Sequence, residues 1–166
     1  TPENTNQPYG ESPVSTAMGA YFNKKAYTDP TLRRKYTRMG FWVNIRLIRY
    51  PDVLLMAAES ANEKGLMGEA SGYLEQVRAH ARGTLTNVLP KVESLDQSVL
   101  REAIRHERRV ELGLEPDRFY DLVRWGIAQE VLQAAGKNYQ PKNALLPLPQ
   151  TEIDKSNGVL VQNPDY

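Results

Sequence analysis

The chain has 166 residues and a mass of 18.8 kDa, with 40% apolar and 25% charged residues. That suffices for one domain with a core, is short for two, and excludes a wholly disordered chain, a collagen and a coiled-coil rod. The 21 basic and 20 acidic side chains leave a net charge of +1, cysteine is absent, and no run of about 18 apolar residues offers a membrane span, so disulfides, thiolate metal sites, a Cys nucleophile and an overall basic nucleic-acid binder are excluded.

Residues 1–31 carry Pro2, Pro8, Pro13 and Pro30 among many Asn, Thr, Ser and Gly, which reads as loop. Residues 32–49 are basic, with Arg33, Arg34, Lys35, Arg38, Arg46 and Arg49 and no acid. Tyr36, Phe41 and Trp42 interleave with these cations as stacking surfaces for single-stranded nucleic acid do. The balanced total charge argues instead for a solvated edge segment with no nucleic-acid partner. Trp42–Leu47 alternates weakly and is expected to be extended. Seven of the fourteen aromatic residues fall within the first 42 positions. They suit either sugar stacking or the anchoring of loops on a helical body, and periodicity does not separate the two. Tyr21, Tyr27 and Trp42 are ligand-binding candidates on that ground alone.

Residues 50–135 read as helices. The first starts near Tyr50, with Pro51 at N1, Asp52 in the first turn and Gly65 as its stop. Val53–Ala58 are apolar nearly all round the helix, which predicts a position between neighbours. A turn through Gly68 leads to a second helix with the stripe Ala70, Tyr73, Leu74, Val77, Ala81, ended by Gly83; the two form an αα-hairpin. The third starts near Ser94 or Asp96, either able to cap it, with the stripe Leu100, Ala103, Ile104, Glu107, Val110, Glu111, Leu114. The fourth spans about 117–135 and uses Phe119, Leu122, Val123, Ile127 and Val131. Residues 137–166 return to loop, with Leu145–Pro149 too proline-broken for a central strand and one helical turn expected at Thr151–Asp154.

Glu107 and Glu111 stand where the helical period asks for apolar residues. A lone buried carboxylate is costly, so partners are required, and Arg105, Arg108 and Arg109 on the same helix and Arg118 and Arg124 on the next stand nearby. Glu107, Arg109, Glu111, Arg118 and Asp121 are expected to form a partly buried ion-pair network between helices, with Arg49 and Glu59 as further candidates. Paired carboxylates also do acid–base work, but arginine lowers a carboxyl pKa whereas a general acid needs it raised. The ion-pair reading is therefore preferred and no catalytic residue is assigned. His106-Glu107 opens like a zincin helix, but Val110 fills the second histidine position, so no metal site and no cofactor are expected. His106 is expected to pack between helices against an acid. Neither a phosphate-binding loop nor a nucleophile-elbow or dinucleotide motif is present.

Several segments resemble the SusD/RagB family. Arg49–Glu59 (RYPDVLLMAAE) resembles its R-Y-[AP]-D-V-L-L-x-x-A-E helix, and Glu75–Arg78 resembles its L-N-x-V-R helix. Ile104–Leu112 (IRHERRVEL) and Arg118–Gly126 (RFYDLVRWG) resemble I-x-x-E-R-R-x-E-L and R-F-x-D-L-x-R-W-G. Leu146–Asp154 and Gln162–Tyr166 are similar to its L-P-I-P-x-x-E-I and Q-N-P-G-Y endings, with Asp165 replacing the glycine. The motifs run in order over about 45–166. The resemblance implies an all-α, tetratricopeptide-like superhelix fragment with long loops at both ends. It divides the chain into a loop-rich segment 1–49 packing on the helical body and a SusD-like C-terminal helical domain 50–166.

It also implies a non-catalytic, outward-facing outer-membrane lipoprotein that binds glycans or peptides and delivers them to a SusC-like TonB-dependent transporter. Family members are about three times as long, so this chain is expected to be the C-terminal portion, without the signal peptide and lipid anchor. The matched motifs are scaffold, and no ligand contact carries over. A superhelix cut between repeats exposes an apolar face, so self-association of such a piece is expected. A second functional expectation is a helical interaction module that contacts only its transporter or the rest of its own chain.

Overall fold

A computed structural model of the chain describes Lys25 and residues 46–166. The loop reading of residues 1–31, most of the basic segment, and the candidates Tyr21, Tyr27 and Trp42 lie outside the described residues. Within them the chain is all-helical: α1 (Tyr50–Glu63), α2 (Met67–Arg82), α3 (Gln97–Glu111), α4 (Asp117–Arg124), α5 (Ala128–Ala134), a 3-10 turn at Pro141–Ala144 and α6 (Gln150–Lys155).

Helix α1 begins with Pro51 in its first turn, where a missing N–H costs nothing, and with Asp52 near the positive end of the helix dipole. It stops at Gly65, whose φ of +77° a side chain would strain. Leu66 N donates to Ala61 O and Gly65 N to Asn62 O, at 2.9 and 3.0 Å, which is the Schellman closure. The chain then enters α2 at Met67, so Gly68 lies inside the helix rather than in the turn. The short connection folds α1 and α2 into a hairpin.

Asp96, rather than Ser94, caps α3; its carboxylate accepts from Ser98 N at 2.9 Å and Val99 N at 3.0 Å. A reciprocal pair ties the end of α1 to the start of α3. Gln97 Nε2 donates to Asn62 O at 2.7 Å, and Asn62 Nδ2 donates to Gln97 O at 3.1 Å.

The main core lies among these three helices. Leu54, Leu55, Ala58 and Ala61 of α1 meet Ala70, Leu74 and Val77 of α2, and Leu100 and Ile104 of α3. Burial follows much, but not all, of the expected stripes. Ala81 is exposed, as are Val110 and Leu114 beyond the core end of α3. The expectation that α1 is enclosed on all sides does not hold: Val53 and Met56 are 43% and 41% exposed.

The expected fourth helix is two helices. Gly126 has φ +71°, and Ile127 N donates to Leu122 O at 3.1 Å while Gly126 N donates to Val123 O at 3.0 Å. This second Schellman closure ends α4, and α5 starts afresh at Ala128. The apolar period continued across the break because Leu122 and Ala128 face one smaller core with Tyr139, joined by Phe119, Val123, Ile127, Val131 and Leu132. Gly126→Ala is expected to destabilise the chain by about 1 kcal/mol, since a left-handed residue with a Cβ is strained although the space around it is open. Thermal denaturation of the variant against wild type measures this.

The proline-broken stretch near Leu146 is held by side-chain amides in place of a strand ladder. Gln162 Oε1 accepts from Leu148 N at 2.8 Å, and its Nε2 donates to Leu148 O at 2.9 Å. Asn163 Nδ2 donates to Leu146 O at 2.6 Å.

Candidate functional site

The charged residues of the helical stripes assemble into three groups of ion pairs. At the centre, Arg108 of α3 is 4% exposed. Its Nε donates to Asp121 Oδ2 of α4 at 2.9 Å and its Nη1 to Asp52 Oδ1 of α1 at 2.8 Å. One guanidinium thus joins three helices through two carboxylates that are themselves buried. Asp121 also accepts from Arg124 Nη2 at 2.8 Å. Arg124 makes a two-pronged pair with Glu59 of α1, at 2.6 and 2.7 Å, and Trp125 Nε1 donates to the same carboxylate at 2.8 Å.

The second group is Glu107, 3% exposed, which accepts from Arg78 Nη1 of α2 at 2.6 Å. Arg78 Nη2 also donates to Pro90 O at 2.9 Å and so holds the loop after α2 against α3. In the third group Arg49 donates through Nε and Nη2 to Glu115 at 2.9 and 2.8 Å, and through Nη1 to Glu111 Oε1 at 2.9 Å. Lys25 pairs with Glu115 at 2.7 Å.

Of the five residues expected in a network, Glu107, Glu111 and Asp121 lie in ion pairs, each with a different arginine. Arg109 is exposed, and Arg118 lies over the Trp125 ring at 5.8 Å to its centroid. Neither bonds to the network carboxylates. Arg49 and Glu59 take part, each in a different group. Arg108, a nearby cation left out of the expected five, is the hub, and Arg78 and Asp52 were missed. Arg108 carried a signal: Leu100, Ile104 and Arg108 follow one another at four-residue steps, so the arginine shares their buried row. Arg78 and Asp52 carried none, because their partners sit on other helices. His106 is exposed, contrary to its expected place between helices.

Burial alone would raise the Glu59 carboxyl above its usual range. The hydrogen bonds from Arg124 and Trp125 outweigh it and hold the group lower. Glu115 behaves alike: burial raises it, and Arg49 and Lys25 bring it down. Its hydrogen bonds to Glu115 and, after a smaller opposing effect of burial, to Glu111 raise Arg49. A carboxyl depressed in the folded state stabilises the fold above its unfolded pKa of about 4.3, and that contribution is lost as pH falls through the lower folded value. Stability is therefore expected to decline below about pH 4.3. Glu59→Gln is expected to flatten the decline as well as lower stability at neutral pH. Urea midpoints between pH 3 and 7 check both; an unchanged pH slope in the variant would contradict the assignment.

Glu59 and Glu115 are thus held in their charged form by cationic partners, and a proton donor would need the opposite arrangement. Among the described residues no three His, Asp or Glu side chains gather as a metal-binding group, and no helix is long and apolar enough to cross a membrane.

Comparison with known proteins agrees with this architecture. A SusD-like protein, P25, of Formosa agariphila is 39% identical over 153 residues, which is 88% of this chain and 27% of that protein. SusD-like protein P2 of the same organism is 36% identical over 127 residues, 72% of this chain and 25% of its own length. The crystal structure of a SusD homolog from Bacteroides thetaiotaomicron superposes with a TM-score of 0.66 at 30% identity, covering 80% of this chain and 30% of that one. The chain thus spans about a quarter of the length of the curated relatives it matches, and its helices follow the tetratricopeptide-like SusD fold. The sequence profile of the SusD family matches residues 2–166, and the chain belongs to the SusD family.

Proposed function

We propose that this chain is the C-terminal helical part of a non-catalytic nutrient-binding lipoprotein of the outer membrane. In this reading the protein binds glycans or other nutrient oligomers outside the cell and delivers them to a SusC-like TonB-dependent transporter. The membership in the SusD family over residues 2–166 carries the proposal. The ion-pair lattice supports the absence of catalysis, since Glu59 and Glu115 are held as carboxylates by cationic partners. Residues 50–166 serve as the scaffold domain, and the aromatic segment before it supplies the ligand candidates Tyr21, Tyr27 and Trp42.

Calorimetric titration of the full-length protein with neutral and acidic oligosaccharides and with peptides tests this. Saturable binding without cleavage of the ligand is expected. Binding to none of them favours an interaction module, and turnover abolished by Glu107→Gln in a folded protein would show an enzyme.

One observation favours the module reading. Tyr50, Val53 and Met56, at steps of three residues on α1, are 68%, 43% and 41% exposed, and Leu47 just before them is 81% exposed. Such a row on one helix face is a contact surface. The isolated chain is therefore expected to self-associate. Light scattering after size exclusion, with Val53→Glu/Met56→Glu shifting the mass toward monomer, checks it.

A further inference from the structure

Ten asparagines occur in the chain, and Asn157 alone is followed by glycine. That step favours attack of the next backbone nitrogen on the side-chain amide, because glycine has no Cβ to crowd the approach. The encounter is intramolecular and closes a five-membered ring. Among the described residues the structure sets Asn157 apart. Asn62 is fully buried and its Nδ2 is committed to Gln97 O. Asn143 accepts from Gln140 N at 2.7 Å and reaches Tyr166 through Nδ2 at 3.2 Å. Asn163 precedes Pro164, which has no N–H to lose. Asn87 and Asn138 are exposed, but Val88 and Tyr139 follow them and their side chains crowd the nucleophile.

Asn157 and Gly158 are both exposed in the turn that ends α6. Neither the Asn157 amide nor the Gly158 N–H has a hydrogen-bond partner among the described residues. Their φ angles are +52° and +86°. A left-handed residue with a Cβ is disfavoured, although asparagine tolerates it better than most, so leaving this turn for a conformation that cyclises meets little intrinsic opposition. The turn is tied at its sides instead. Val159 N donates to Ser156 O at 3.2 Å and Leu160 N to Ser156 Oγ at 2.9 Å, while Ser156 Oγ donates to Ile153 O at 2.7 Å. Two residues further on, Gln162 holds Leu148.

We propose that Asn157-Gly158 is a site of spontaneous deamidation in the folded protein, and that its isoaspartate product opens the tie of Leu160 to Ser156. Gly158 N gives its proton to hydroxide and attacks Asn157 Cγ. The N–Cγ bond forms, the Cγ–Nδ2 bond breaks, and the departing nitrogen takes a proton from water and leaves as ammonia. Water then opens the succinimide at either carbonyl, giving aspartate or isoaspartate. Both products put a carboxylate just past the C-terminal end of α6, where the helix dipole disfavours it. Isoaspartate alone adds a methylene to the main chain between Ser156 and Leu160, and so shifts Leu160 N away from Ser156 Oγ. The reaction consumes only water and is independent of nutrient binding.

The test is incubation of the full-length protein in mildly alkaline buffer, folded and unfolded in urea, followed by peptide mapping with mass spectrometry. The peptide carrying Asn157 is expected to gain one mass unit and to elute as separate aspartate and isoaspartate forms. Faster deamidation at another asparagine of residues 46–166 overturns the site. The folded rate is expected to stay within about tenfold of the unfolded rate, since an exposed turn needs only local opening. A larger suppression, up to the ~10³-fold or more of a position that reacts only after global unfolding, overturns the proposal. Gly158→Ala is expected to slow the reaction several-fold, and an unchanged rate would exclude attack by this nitrogen. Asn157→Asp supplies the charge without the methylene. Thermolysin is expected to cut within residues 159–161 of the isoaspartate form several-fold faster than in Asn157→Asp, and equal rates overturn the opened tie.

Discussion

Arg108→Met is expected to lower the stability of the folded chain by roughly 3–5 kcal/mol. Methionine fills much of the same space, so the loss is mainly electrostatic. Asp52 and Asp121 are 8% and 4% exposed, and removal of the guanidinium leaves both as buried anions, with Asp121 keeping only Arg124. Arg108→Lys is expected to fall between wild type and Met, because one ammonium cannot reproduce the separate Nε and Nη1 bonds that span α4 and α1. Replacing all three groups, as Asp52→Leu/Arg108→Met/Asp121→Leu, is expected to recover most of the loss, since an apolar trio carries no desolvation cost. Urea denaturation followed by far-ultraviolet circular dichroism measures the series. A loss below about 1 kcal/mol in Arg108→Met would mean that the carboxylates find water and that the lattice does not clamp the helices.

Leu55→Ala is the second large effect, at roughly 2–5 kcal/mol. Leu55 is fully buried in the core shared by α1, α2 and α3. Truncation removes its transfer energy and leaves a cavity that three packed helices close only in part. Helix propensity acts the other way, since alanine is the better helix former, so the measured loss is net of a small gain. Val53→Ala, two residues away and 43% exposed, is the internal comparison and is expected to change stability by no more than about 0.5 kcal/mol. Similar losses at the two positions would place α1 between neighbours on both sides, as its composition suggests.

Much of the helical framework was legible because it rests on short-range physics. Pro51, Asp52 and Gly65 bound α1 through the chemistry of helix ends, and Asp96 caps α3 for the same reason. Gly126 was equally visible, but the apolar period running through it outweighed it, and one helix was read where the chain makes two. Periodicity reports which face is apolar. It does not report whether a helix continues between two segments that bury the same face.

The ionic lattice was legible in kind and not in partners. Acids at apolar positions of α3 require cations, and Glu107 and Glu111 have them. The nearest cations in sequence are nevertheless mostly the wrong ones. Arg109 is exposed and Arg118 rests on Trp125, while the pairing falls to Arg78, Arg49 and Arg108.

The sequence by itself determined the all-helical character, the capped starts, the glycine stops and the family, because each depends on neighbours within a few residues or on motifs in fixed order. Only the tertiary structure decided that Arg108 is the buried hub and that one face of α1 is open. Those outcomes depend on which helix lies across from which. An ion pair or a buried face needs a partner in space, and the partner can stand 56 residues away, as Asp52 does from Arg108.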